Sequence, residues 1–147
     1  MLKQLSIVDV VAAVMATLKK NIPDVPVKDS MPSPKPDPVT GVFSATTPLI
    51  HVAFGGIEPA DTKTMFRTKY QILLYGFADG SRGSVAIFDL IQKMQEAMTD
   101  EPDLPDGVEL LGAVPRGVAG VQDQPDGTKM AVLTYELTVS YGFKYKI

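Results

Sequence analysis

The chain has no cysteine, a single histidine, little net charge and no uninterrupted apolar run long enough to cross a bilayer. Each lack removes a class of protein. Without cysteine there can be no disulfide framework, no thiolate metal site and no Cys nucleophile, so folding rests on packing alone. Fourteen basic residues against seventeen acidic ones leave a formal charge of −3, the wrong sign for a protein that coats nucleic acid by neutralising phosphates. The opening run, residues 1–20, has the length of a secretory signal, but its apolar residues are spaced helically around Asp9 rather than run together. Residues 38–57 carry no formal charge, yet they include Thr40, Ser44, Thr46, Thr47, Pro48, His51 and three glycines. That is a poor fit to the roughly 20 predominantly apolar residues of a spanning helix. The expectation is a chain without a membrane segment, cytoplasmic at synthesis.

At 147 residues and 45% hydrophobic content, one core is the economical arrangement, burying roughly 70% of the unfolded surface. A single domain over residues 1–147 is therefore expected. Ser6 followed by Asp9 makes a near capping box, and Ile7, Val11, Val14 and Leu18 then recur at helical spacing, with Lys19 and Lys20 at the negative end of the dipole. Asn21 and Pro23 end this helix, and residues 25–28 suit a short edge strand interrupted by Pro26. Over residues 29–41, Pro32, Pro34, Pro36 and Pro38 deny the backbone its ladder donors and favour an extended polyproline arm.

Residues 48–55 read as a strand with Ile50, Val52 and Phe54 on one face and Leu49, His51 and Ala53 on the other. After a turn, Phe66, Thr68, Tyr70, Ile72 and Leu74 alternate with Arg67, Lys69 and Gln71, one face apolar and the other wet, as in an antiparallel sheet covered on one side. Glycines 76, 80 and 83 connect to a second helix from Ser84, whose stripe is Ile87, Leu90, Ile91, Met94 and Met98. Two prolines and four acidic residues close it over residues 100–107. Residues 108–114 resume a strand pattern, and residues 115–129 are too long for a tight hairpin and read as a long loop, with a Pro125-Asp126-Gly127 turn that suits a protruding ribbon. Ala131, Leu133, Tyr135, Leu137, Val139 and Tyr141 then mark a long final strand. The sum is an α+β fold: a mostly antiparallel sheet with both helices on one face, plus the arm and the loop.

The pattern offers little for chemistry. His51 lies on a strand without a second histidine or a serine in a nucleophile elbow, so it reads as a packed side chain with local hydrogen bonds. Asp100, Glu101, Asp103 and Asp106 lack the spacing of a calcium loop and read as a solvated turn. Gly83 is followed by Ser84 and Val85 rather than the Lys-Ser or Lys-Thr pair of a phosphate-binding loop. Tyr70, Tyr75, Tyr135, Tyr141 and Tyr145 fall on strands, where aromatics stabilise cross-strand pairs. No catalytic, cofactor or metal site is expected. The arm and the long loop cost ordering entropy in a monomer, and assembly is their natural use. By position the expected contacts are Met31, Pro34, Pro36 and Val39 in the arm, Gly80 and Arg82 in the glycine loop, and Arg116, Gln122 and Asp126 in the long loop. A ligand-binding or regulatory module with its pocket between helices and sheet is the alternative.

An N-terminal helix, the strand Pro-Leu-Ile-His-Val-Ala-Phe at 48–54, the long strand at 66–75, the helix at 84–98 and the closing strand Leu-Thr-Tyr-Glu-Leu-Thr-Val-Ser-Tyr at 133–141 share an order and texture. They resemble the tail terminator and head-to-tail joining proteins of long-tailed bacteriophages over about residues 5–143. The resemblance implies a virion protein of the tail and neck, made in the host cytoplasm, with no catalytic residues. It implies a homo-oligomeric ring, commonly a hexamer, that caps the tail tube protein and offers its other face to the head completion or connector protein. DNA passes through such a ring without specific binding.

Overall fold

The computed structural model describes residues 5–29 and 47–143. In chain order its elements are α1 (Ile7–Asn21), β1 (Val27–Lys28), β2 (Leu49–Pro59), β3 (Met65–Asp79), α2 (Val85–Ala97), β4 (Glu109–Val118), β5 (Gln122–Asp123) and β6 (Thr128–Phe143). The strands form one sheet in the order β1-β2-β3-β6-β4, with β5 also paired to β6. Every pairing is antiparallel except the short β1–β2 contact.

The centre is the β3–β6 ladder, which runs unbroken in pairing from Thr128 opposite Asp79 to Ser140 opposite Arg67. Alternation decides which side is buried. Tyr70, Ile72 and Leu74 stand opposite Leu137, Tyr135 and Leu133, and all six are wholly removed from solvent. Ile50 and Val52 of β2 continue the same face. Against it lie Val10, Val14 and Leu18 of α1 and Ile87, Leu90 and Met94 of α2, which together with the strands make one apolar cluster. α2 packs closely because Gly76 offers no side chain: a Cβ there would stand 2.9 Å from Met94 Sδ and 3.1 Å from Leu90 Cδ2.

Where the first helix enters, polar groups are buried but paired. Tyr70 donates from its hydroxyl to Leu5 O at 2.7 Å, Tyr141 and Tyr70 hydroxyls lie 2.7 Å apart, and the Leu5 N–H donates to the Tyr141 hydroxyl at 3.1 Å. Four buried polar groups thus satisfy one another, and the α1 entry is tied to β3 and β6. Burial first, then the Tyr141 hydrogen bond, raise the Tyr70 phenol far above its ordinary range. Burial, helped by the negative charge of Glu101, pushes Tyr135 up to about 12.

The sheet extends further than the sequence pattern indicates. β4 continues through Pro115 to Val118, β5 follows, and Gln124 to Gly127 make the only turn before β6, so the long loop expected over residues 115–129 is for the most part strand. The physical reason is position. Pro115 lies on an edge strand, where a missing N–H is tolerated, and register shifts at Leu110/Gly112 and Pro115/Gly117 absorb the misfit. The ribbon is closed by the expected Pro125-Asp126-Gly127 turn, with Asp126 Oδ1 accepting from the Thr128 N–H at 3.0 Å and Gly127 at φ +85°. The polyproline arm falls, apart from Asp29, outside the described residues.

Candidate assembly surfaces

Three kinds of surface among the described residues are candidates for contact with another chain. The first is strand edge. β1 covers β2 only at Ile50 and His51, so from Val52 to Pro59 the outer edge of β2 has no neighbouring strand among the described residues, and neither has the outer edge of β4. Open edges are templates for pairing with another chain unless blunted. β4 is partly blunted by its two register shifts, Pro115 and the exposed Arg116. β2 carries one shift at Phe54/Gly56, but presents Phe54 and Ile57 at 39% and 44% exposure.

The second surface is the sheet face opposite the helices. Its upper half is apolar and largely closed to solvent, with Leu49 and Phe77 buried and Leu73, Tyr75 and Val132 half-buried. His51 packs there, 4% exposed, with its ring 5.6 Å from that of Tyr75. The expected local hydrogen bond is missing at one nitrogen, since Nδ1 has no partner among the described residues. Its lower half is a charge network. Lys69 Nζ lies 3.4 Å from Glu58 and 3.5 Å from Glu136, while Arg116 reaches the same Glu136 oxygen at 3.1 Å. Four strands are thereby laced by side chains that leave no net charge. Burial tends to raise the Glu136 carboxyl, but the Arg116 hydrogen bond and charge, joined by Lys69, hold it below the usual carboxylate range.

The third surface is α2. Its buried stripe faces the sheet, yet Val85 and Phe88 point away and stand 71% and 59% exposed. Phe88, Ile91, Gln92, Gln95 and Glu96 line a shallow groove of about 550 Å³. The loop before the helix is held by Asp79, which accepts from the Ser81 N–H at 3.0 Å and the Ser81 hydroxyl at 2.6 Å. Those two bonds, and more weakly the charge of Arg82, lower the Asp79 pKa.

The residues singled out from the sequence are partly gathered by the fold. Gly80 donates its N–H to Gly127 O at 3.2 Å, which brings the glycine loop with Arg82 beside the turn containing Asp126. Gln122 lies on exposed β5, opposite Met130 near that same end of the sheet. Arg116 stands apart, within the charge network on β4. Met31, Pro34, Pro36 and Val39 lie outside the described residues. Sequence reasoning missed Glu58, Lys69 and Glu136, whose signal was their place on the wet side of the strand alternation. It also missed Val85 and Phe88, apolar residues off the helical stripe. Among the described residues no cluster of His, Cys, Asp or Glu is disposed to hold a metal ion, and no helix is long and apolar enough to cross a membrane.

Edges that no strand of the described residues covers, a charge network on the sheet face away from the helices and an apolar helix shelf are surfaces suited to contact with other chains, and the family model agrees in class: this is a structural protein of the phage tail. More narrowly, the chain belongs to the family described as "Putative tail termination protein", whose model matches residues 1–147. The fold is similar to that of a chain in a solved structure titled "Virion of native gene transfer agent (GTA) particle". That match has a TM-score of 0.59 and 16% identity, and covers 88% of this chain and 92% of the other. The comparison with curated proteins gives no match.

Proposed function

We propose that this protein closes into a homo-oligomeric ring, hexameric when assembled, that terminates the phage tail tube and joins it to the head connector. The carrying observation is a sheet whose two edges, β4 and β2 beyond His51, have no neighbouring strand among the described residues, in a chain of the tail termination family. A head-to-tail contact between unlike edges or patches gives a ring when its rotation closes. DNA passes through the ring without specific binding, and the role involves no catalysis. The protein is made in the host cytoplasm and ends in the neck of the virion. One face meets the tail tube protein and the other the head completion protein. Contacts are assigned to Met31, Pro34, Pro36 and Val39 of the arm, to Gly80 and Arg82, and to Arg116, Gln122 and Asp126.

The test is capping of purified tail tubes that lack this protein, scored by electron microscopy of tube ends. The intact chain should occupy tube ends and stop further lengthening. A chain lacking residues 31–39 should remain folded by circular dichroism but cap fewer ends at the same concentration. Tube ends left bare at saturating protein would contradict tail termination, while full capping by the shortened chain would remove the arm from the contact.

A further inference from the structure

The two helices treat their ends differently. α1 is compensated at both: Ser6 accepts from the Asp9 N–H, Asp9 stands in the first turn, and Lys19 and Lys20 stand in the last. α2 is compensated at neither, for Ser84 makes no side-chain cap bond, the first turn has no acid and the last turn has no base. Just ahead of the positive end of α2 stands the exposed Arg82, whose charge acts on Asp79 of the same loop but which makes no ion pair within 4 Å among the described residues. Val85 and Phe88 form an apolar shelf beside it.

The opposite end of α2 is concave and acidic. Asn21, the last residue of α1, donates from Nδ2 to Ala97 O at 3.1 Å and to Asp100 Oδ2 at 2.9 Å, so the C-terminal ends of both helices converge. Between them lies a groove of about 360 Å³ lined by Asp24, Glu96 and Asp100, with Ile22 as an apolar element. Its one cation, Lys93, is 3.3 Å from Asp89, one turn back on the same helix. Within the groove's lining, three carboxylates and the negative end of α2 thus face one cation already engaged, while Lys19 and Lys20 of the last turn of α1 stand outside that lining.

We propose that this groove receives, from a neighbouring copy of the chain, Arg82 and the apolar first turn of α2. The inference rests on the self-assembly reading above and names the contact. A second copy is the occupant because the two surfaces are complementary and belong to one chain, at opposite ends of a helix about 20 Å long. Pairing unlike patches is heterologous, the arrangement that closes into rings. The planar fork of arginine suits carboxylates at the groove's mouth.

Charge reversal tests this. Arg82→Glu changes an exposed residue and should leave the monomer folded, but sets like charges together at every contact. The concentration for half-assembly, read by light scattering, should rise about tenfold or more. Adding Asp24→Lys and Glu96→Lys to the same chain reverses both sides and should return assembly towards the wild-type concentration. Unchanged assembly of Arg82→Glu, or no recovery in the combined variant, would overturn this contact while leaving the ring of the wild type standing. A wild type that never assembles would overturn the ring and the contact together.

Discussion

Replacing Leu133 with alanine should lower folding stability by about 2–5 kcal/mol. Leu133 sits on β6 with no exposure, opposite Leu74 of β3 on one side and Val118 of β4 on the other, on the helix-covered face. Neighbours on the two flanking strands cannot both move inward to fill the space, because β6 is held by backbone pairing along both edges. The loss thus combines lost transfer energy with a cavity. Urea unfolding should show a lower midpoint with an unchanged slope. A loss below about 1 kcal/mol would mean that the centre of the β6 ladder is not the packed core described here.

Gly80→Ala is the second large effect, and it arises from backbone rather than core. A Cβ at Gly80 would run into Gly127 O, with Lys129 Cγ at 3.3 Å. The nearest obstacle is a main-chain atom that no rotamer change can move. The loop before α2 and the turn before β6 must separate, breaking the Gly80 N–H bond to Gly127 O. A cost of about 1–3 kcal/mol follows from such overpacking, with faster hydrogen exchange at the Gly80 amide. Gly120→Ala is the control, since nothing lies within 4 Å of its Cβ position, and its effect should stay within about 0.5 kcal/mol. Because Arg82 rides on the same loop, Gly80→Ala should also weaken assembly.

Local periodicity made much of the fold legible. The apolar alternation of 131–141 gave the buried side of β6 residue by residue, and Phe66 to Leu74 gave most of β3, although Phe66 itself is only half-buried. In α1 the buried stripe departs in part from the apolar spacing: Val10 is buried and Val11 half-buried, while Ile7 is 40% exposed and Leu5, ahead of the helix, is buried in the core. What periodicity cannot register is pairing. Pro115 looked like the end of a strand because its missing N–H matters only if a partner needs it, and on the outer edge of β4 none does. The Glu58-Lys69-Glu136-Arg116 network joins residues far apart in sequence, and only strand register brings them together. The assembly surfaces were hidden for the same reason: that an edge is open, or a helix end lacks a counter-charge, depends on neighbours a linear pattern does not show. The element order nevertheless carried the resemblance to tail terminators, which family membership now bears out.

Ring closure is tested most directly by the molar mass of the purified wild-type chain, measured by light scattering across a concentration series. The expected result is a rise from 15.8 kDa to a plateau at a fixed multiple, six for a hexamer, that does not grow with further protein. A mass that stays at the monomer value at every concentration, or one that climbs without a plateau as an open filament does, would contradict a closed ring.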